Sequence, residues 1–312
     1  MTKFGDLSNF LVLCILLGIA GSSYGQLQLN FYAKSCPPAE KIIQEYGCDG
    51  SVLLNITSST KNQTEKVAVP NQTLRGFSFI DGVKKVVESE CPGVVSCADI
   101  VALVARDSVV VTVRTKFEIT SPYWKVPTGR RDGRISNASE ALANIPPPTS
   151  NFSSLQTSFA SKGLDLKDLV LLSSAHTIGV SHCPSFSSRL YNYTGVWGKQ
   201  DPSLDSEYAA KLKMKKCKSI NDNTTIVEMD PGSSSEFDLS YFQLVLKRKG
   251  LFQSDAALTT SATTKPFINH LVQGSLKQFY AEFGVAMEKM GRIEVKTGSA
   301  GEIRKHCAAV NS

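Results

Sequence analysis

The chain has 312 residues, of which 42% are hydrophobic and 20% are charged. This length and composition suit one large or two modest globular domains, and they exclude a disordered protein and a coiled coil. The formal net charge is +6, but basic and acidic residues are mixed along most of the chain, so we expect no nucleic-acid partner. The dense basic run from Lys211 to Lys218 is better explained as a solvated helix face than as a polyanion site.

The first 25 residues have the features of a secretory signal peptide. Lys3 supplies the positive charge, residues 10–20 form an apolar core, and Ser23-Tyr-Gly25 offers small residues for cleavage. This core is too short to span a bilayer comfortably, and no later stretch is apolar enough to do so. We therefore predict a signal peptide over 1–25, a mature chain over 26–312 without a membrane anchor, and secretion to the extracellular space or cell wall, with the vacuole as an alternative.

Seven Asn-x-Ser/Thr triplets agree with export, because N-glycosylation requires the secretory pathway. They begin at Asn55, Asn62, Asn71, Asn137, Asn151, Asn192 and Asn223.

The cysteines are too widely spaced for a zinc cluster, and in an oxidising compartment we expect them to form disulfides. Removal of the signal peptide discards Cys14 and leaves an odd number: Cys36, Cys48, Cys91, Cys97, Cys183, Cys217 and Cys307. An odd cysteine indicates a free thiol, an intermolecular bond or a pairing partner that this sequence has lost.

Helical patterns dominate the mature chain. Ser96 is the candidate N-cap of a helix that runs to Ser108. Four small apolar residues share one face of this helix: Ala98, Val101, Ala102 and Ala105. Further helices are predicted over residues 152–162, 206–216, 238–249 and 274–290.

A helix from Leu166 to Ala175, capped by Asp165, brings a histidine to its end. Leu169, Leu172 and His176 recur at positions i, i+3 and i+7, so we expect His176 to face the core. A single buried histidine is more often a structural residue than a ligand, but the residues around this one form a long motif.

The segment from Asp168 to Gly179, DLVLLSSAHTIG, resembles the proximal haem-ligand signature of the plant haem peroxidase superfamily. Matching segments extend from Gln26 to the C-terminus: LNFYAKSCP, GCDGSVLL, PNQTLRGF, CPGVVSCADI, VPTGRRDG, FDLSYF, KGLFQSDAAL and MEKMGRIEVKTGSAGEIR. The chain is therefore similar to the secreted class III plant peroxidases. The resemblance implies a mostly α-helical fold with haem between a distal and a proximal half.

The resemblance assigns roles to residues of the proximal half. It implies that His176 is the axial ligand of haem b iron and that Asp255 accepts a hydrogen bond from the other ring nitrogen, which makes the imidazole more electron-donating. Pro146 corresponds to the position at which aromatic donors contact the backbone. A proximal calcium site is implied, with oxygens from Thr177, Asp230, Ser233, Asp238 and the Glu236 carbonyl.

The same resemblance implies structural pairings. Asp99 and Arg130 correspond to a buried ion pair of the family. The family's disulfides correspond to Cys36–Cys91, Cys97–Cys307 and Cys183–Cys217, which leaves Cys48 alone.

The chain departs from the family pattern between Tyr46 and Gly47. The family carries a distal helix with the motif RxxFHDCF shortly before GCDGS, whereas Tyr46 here is followed directly by Gly47. The missing cysteine is the family's partner of Cys48, which accounts for the odd count. The missing histidine and arginine are the groups that cleave peroxide, and the other histidines all follow His176: His182, His270 and His306.

The deletion also affects the family's distal calcium site. Gly47, Asp49 and Ser51 remain, with Glu65 reaching the ion through water, but two further ligands are lost. Calcium requires about six to eight oxygens, so we expect this site to be weak or empty. Asn71, which orients the distal histidine in the family, has nothing to orient here.

A second departure is an insertion over 113–124, where the family has a short turn. Together the deletion and the insertion suggest mis-joined exons.

From the resemblance and the missing distal residues we expect a monomeric haem peroxidase that uses hydrogen peroxide to oxidise phenolic donors, with severely impaired activity. Two alternatives remain, a haem-binding protein without peroxidase activity and an inactive product of mis-splicing or a faulty gene prediction.

Overall fold

The computed structural model describes residues 27–44, 52–55, 63–113 and 124–312. The predicted signal peptide, Cys48 and most of the insertion lie outside the described residues. So do Gly47, Asp49 and Ser51 of the predicted distal calcium site.

Helices form most of the regular structure, which confirms the predicted mostly α-helical fold. The first half contains α1 Ala39–Gln44, α2 Phe77–Glu90, α3 Cys97–Val111, α4 Ala138–Asn144, α5 Phe152–Ser161 and α6 Leu166–Ser173. The second half contains α7 Ser187–Tyr191, α8 Ser206–Lys215, α9 Ser240–Leu246, α10 Gln253–Ala257, α11 Thr264–Gln273 and α12 Leu276–Met290. One antiparallel pair joins β1 Val180–His182 to β2 Ile226–Glu228. Within the described ranges, no helix combines the length and apolarity needed to cross a bilayer.

Two predicted helices end at least two residues earlier than expected. The α-helix predicted over 166–175 ends at Ser173, and a 3₁₀ turn, Ser174–Thr177, follows it. The Ser174 hydroxyl donates to the Leu171 carbonyl at 2.5 Å. The helix over 238–249 ends at Leu246, and Arg248 then adopts a left-handed conformation with φ of 59°. Left-handed backbone cannot continue a right-handed helix.

The core beneath α6 is aromatic. The Phe237 ring lies 4.6 Å from the Phe283 ring and 5.4 Å from the Phe279 ring, centroid to centroid, and all three residues are buried. Phe279 and Phe283 belong to α12, which packs against α6. Outside this core, the Lys289 ammonium at the end of α12 lies 3.0 Å from the Asp168 carboxylate in the first turn of α6. The packing fixes the helix that precedes His176.

Three disulfides have the pairing that the resemblance implied: Cys36–Cys91, Cys97–Cys307 and Cys183–Cys217. The bond from Cys97 to Cys307 closes 210 residues and fixes the C-terminal segment to the start of α3. In the loop-entropy account, closing a loop of this length stabilises the fold by on the order of 5 kcal/mol.

The predicted Asp99–Arg130 ion pair is present beside the same helix start. Ser96 caps α3 by accepting the Asp99 N–H at 3.0 Å. The Asp99 carboxylate accepts from Arg130 Nη1 at 2.9 Å and from the Tyr32 hydroxyl at 2.7 Å. The buried charge is thus paired and fully hydrogen-bonded, as buried charges require.

A second buried ion pair, Arg189–Asp201, had no counterpart in the sequence analysis. Arg189 Nε lies 2.7 Å from Asp201 Oδ2. Its Nη1, which carries two N–H donors, lies 2.7–2.8 Å from three successive carbonyl oxygens, those of Gly250, Leu251 and Phe252. Both charged side chains are buried. Arg189 therefore holds the backbone turn that leads into α10.

We predict that Arg189→Met lowers the free energy of unfolding by about 3–5 kcal/mol, because Asp201 and the carbonyls lose their buried partner. Urea denaturation followed by circular dichroism measures this. The matched control is Arg292→Met, which removes a half-exposed pair with Glu288 and should cost about 0.5 kcal/mol or less. Equal losses in the two variants would contradict the assigned role of Arg189.

Candidate functional site

The capping of α6 determines where His176 lies. Asp165 accepts the Asp168 N–H at 2.8 Å, and Asp168 accepts the Asp165 N–H at 3.0 Å, so the two carboxylates close a reciprocal capping box. The capping box fixes the first residue of the helix, and the ion pair between Lys289 and Asp168 holds the helix against α12. The 3₁₀ turn at its end carries His176 and Thr177.

His176 makes a specific hydrogen bond through one ring nitrogen. Its Nδ1 lies 2.8 Å from Asp255 Oδ1, and the Asp255 side chain is only 1% exposed. An ionised carboxylate can only accept hydrogen bonds, so Nδ1 carries the proton and, in the neutral ring, Nε2 presents its lone pair.

Asp255 accepts two more hydrogen bonds. The Tyr241 hydroxyl donates to Oδ1 at 2.9 Å, and the Phe252 N–H donates to Oδ2 at 2.8 Å. Burial raises the pKa of Tyr241 well above its ordinary value, and the negative charge of Asp255 adds to the rise. The Tyr241 hydroxyl therefore stays protonated and remains a donor.

The ring of His176 is held between two aromatic side chains. The Tyr241 and Phe252 rings meet it edge-on, with centroids at 5.8 Å and 5.2 Å. The His176 side chain is nevertheless 36% exposed, so the expectation that it faces the core is right for the Nδ1 edge alone. The geometry leaves Nε2 able to bind a metal centre, with the ring orientation already fixed.

A cluster of oxygens lies next to this histidine. The Thr177 hydroxyl is 3.2 Å from Asp230 Oδ2, 3.2 Å from Asp238 Oδ1 and 3.5 Å from the Glu236 carbonyl. Ser233 Oγ lies 3.1 Å from Asp238 Oδ2. The four predicted calcium ligands are therefore brought together, with Thr177 at their centre.

The charge of this cluster suits a cation. Burial raises the pKa of Asp230, and the nearby charges of Asp238 and Glu228 add to the rise. A hydroxyl has a single proton, so Thr177 cannot donate to all three of its acceptors. Among the described residues no group of three or more His, Cys, Asp and Glu side chains has metal-binding geometry. Here two carboxylates act with hydroxyl and carbonyl oxygens, a donor set that calcium accepts.

Ser240 is a member of this cluster that the sequence analysis missed. Its hydroxyl lies at hydrogen-bond distance from both Asp230 Oδ2 and Asp238 Oδ1, and its N–H donates to Asp238 at 2.8 Å. The segment FDLSYF contains the signal, since Asp238 and Ser240 point to the oxygens and the adjacent Tyr241 points to Asp255.

Two other predicted site residues, Pro146 and Glu65, belong to the described part of the chain. Pro146 is half-buried, and Pro148 accepts the Ser254 N–H at 3.0 Å, which ties this loop to the helix of Asp255. Glu65 lies beside Asn71, whose amide donates to the Glu65 carbonyl at 2.9 Å. The remaining predicted distal calcium ligands lie outside the described residues.

We predict that Asp255→Asn lowers the free energy of unfolding by about 2–3 kcal/mol, because an amide cannot accept from all three donors. Tyr241→Phe removes only one donor and should cost about 1 kcal/mol. Urea denaturation of both variants checks the order, and a Tyr241→Phe loss as large as that of Asp255→Asn would contradict it.

A family model described as Peroxidase matches residues 23–274. The chain is similar to Peroxidase 3 of Arabidopsis thaliana, at 60% identity over 95% of this chain and 96% of that protein. It is also similar to Peroxidase 30 of Arabidopsis thaliana, at 57% identity over 98% of each chain.

Peroxidase 39 of Arabidopsis thaliana is 55% identical over the full length of both chains. That alignment spans 337 positions, whereas this chain has 312 residues. The relative therefore contains residues that have no counterpart here.

Proposed function

Since this chain belongs to the peroxidase family, among the class III haem peroxidases of plants, we propose that it binds haem b through His176 but cleaves peroxide at a strongly reduced rate. The reaction it descends from is the oxidation of phenolic donors by hydrogen peroxide, with donors contacting Pro146. The observation that carries the proposal is the 2.8 Å hydrogen bond from His176 Nδ1 to buried Asp255, which leaves Nε2 as a ligand.

The proximal residues fit haem. Bound haem supplies an iron that accepts electrons from donors and passes them to peroxide. His176 holds that iron through Nε2. Asp255 keeps the proton on Nδ1 and increases electron donation from the ring, while Tyr241 and Phe252 fix the plane of the ring.

The residues that would move the peroxide proton are missing from the N-terminal part. No histidine precedes His176, and the first arginine is Arg75. The alignment with Peroxidase 39 spans more positions than this chain has residues, which is consistent with a lost segment. We place that segment before Gly47 from the motif pattern alone. Loss of a positioned acid–base group costs about 10²- to 10⁴-fold, and loss of a charge stabiliser adds about 10²- to 10³-fold. Peroxide cleavage should therefore be almost abolished.

A haem-binding protein without turnover is the second candidate. It requires only the proximal half, and the geometry around His176 favours it over a non-functional product.

We also propose that calcium binds beside His176, held by Thr177, Ser233 and the carboxylates of Asp230 and Asp238. Thr177 directly follows His176, so a bound cation fixes the backbone of the axial ligand. The Glu236 carbonyl and Ser240 hydroxyl add further oxygens.

The three disulfides and the predicted signal peptide support secretion. That the protein is a monomer stays an expectation from the family resemblance. Asn137, Asn151 and Asn223 are exposed and suit glycosylation. Asn71 does not suit it, because its side chain is buried and its amide already donates to Glu65.

Titration of the secreted chain with haem tests the proposal. We predict saturable 1:1 uptake with a Soret band, and a loss of affinity of at least about 100-fold in His176→Ala, because removal of a metal ligand leaves only apolar contacts. His270→Ala, at an exposed histidine, is the matched control and should bind like the parent. Absence of uptake by the parent, or equal uptake by His176→Ala, would refute the assignment.

Calcium should stabilise the fold independently of haem. At 100 times its dissociation constant we expect a gain of about 2.7 kcal/mol, which raises Tm by about 5 °C. Scanning calorimetry with calcium and with a chelator measures this. Asp238→Asn should abolish the shift and exposed Glu207→Gln should retain it, while a shift that survives Asp238→Asn would place the ion elsewhere.

A further inference from the structure

A groove of about 890 Å³ lies between α3, the segment from Trp124 to Ile135 and the end of α12. Its floor is the small apolar face of α3, and its walls include buried Trp124 and partly exposed Met287 and Met290; the floor residues are Ala98, Val101, Ala102 and Ala105. None of the residues around His176 or the calcium cluster lines this groove. Its volume is that of a pocket for a small organic molecule.

Two cationic side chains lie side by side at the rim. Arg131 and Lys296 face each other in an antiparallel bridge, in which the Arg131 N–H donates to the Lys296 carbonyl at 2.8 Å. Directly opposed residues in such a pair project to the same side, with Cβ atoms about 4.5–5.5 Å apart. Two positive charges in directly opposed positions repel each other, and an anion bound between them would remove this repulsion.

Most other charges of the groove already have partners. Arg130 pairs with Asp99, Arg134 with Glu302, Glu288 with Arg292, and Glu294 with Lys162. In the described part of the chain, neither Arg131 nor Lys296 has a carboxylate within ion-pair distance. Glu140 is the exposed carboxylate that remains on this rim.

Arg131 also has an unsatisfied donor. Its Nη2 donates to the Gly301 carbonyl at 3.3 Å, but its Nε is buried and has no acceptor among the described residues. A buried unpaired donor of a charged group costs free energy, and an anion beside the guanidinium would offset part of that cost through its charge.

We propose that this groove binds a planar aromatic ligand with one carboxylate. The ring lies on the flat alanine strip beside Trp124 and the methionine sulfurs, contacts that favour an aromatic over an aliphatic body. The carboxylate lies between Arg131 and Lys296 and neutralises their two positive charges. This is a second site for an aromatic acid, separate from Pro146 and from His176.

Isothermal titration calorimetry on the full secreted chain tests the proposal with 2-naphthoate. We expect saturable 1:1 binding, and at least about tenfold weaker binding of the neutral isostere 2-naphthamide, because the amide loses the charge-assisted hydrogen bonds. Octanoate, which has the carboxylate without the ring, should also bind about tenfold more weakly. Equal affinity for the acid and the amide would overturn the anion site, and equal affinity for octanoate would overturn the aromatic preference.

Variants locate the site. Lys296→Gln, at an exposed side chain that leaves the fold intact, should weaken 2-naphthoate about tenfold, whereas the exposed control Lys305→Gln should not. Ala102→Leu should block the groove. Should the leucine variant fail to fold, the Lys296 and Lys305 pair still decides, and unchanged affinity in Lys296→Gln would refute the proposal.

Discussion

The hydrogen bond between His176 Nδ1 and Asp255 Oδ1 places a buried carboxylate directly behind the candidate axial ligand. A buried charge is tolerated only when its hydrogen-bonding capacity is satisfied. The Tyr241 hydroxyl and the Phe252 N–H donate the remaining hydrogen bonds to Asp255. Tyr241 follows Ser240 of the oxygen cluster, and Phe252 belongs to the turn that Arg189 holds. The ring is consequently held in one orientation and one tautomer by groups outside its own helix.

This constraint extends in both directions along the chain. Arg189 holds the carbonyls of 250–252, which lead into the helix of Asp255. On the other side Thr177 links His176 to Asp230 and Asp238. The residues around His176 thus form one connected polar network, stabilised by the buried Arg189–Asp201 ion pair and by the packing of α6 on α12. The N-terminal part of the chain differs, because it has no histidine or arginine before Arg75 that could act on peroxide.

Much of this network could be predicted because its residues lie in recognisable segments. His176, Asp255 and the four predicted calcium ligands were assigned by motif and lie close together in the structure. The three disulfides also have the predicted pairing. Arg189 was missed because its role depends on carbonyls about sixty positions away, which no local pattern encodes. The Arg131–Lys296 bridge was missed for the same reason. The early end of α6 was missed because helix periodicity does not distinguish a 3₁₀ turn.

We propose that the residues around His176 form a haem site that lacks its distal catalytic groups. Stopped-flow measurement of the peroxide-induced change in the Soret band, on the chain with one haem and with calcium, tests it most directly. The comparison is the same chain with the relatives' distal segment restored between Tyr46 and Gly47. We expect a rate at least about 10⁴-fold lower without the segment. Equal rates would contradict it, because another group would then be moving the peroxide proton.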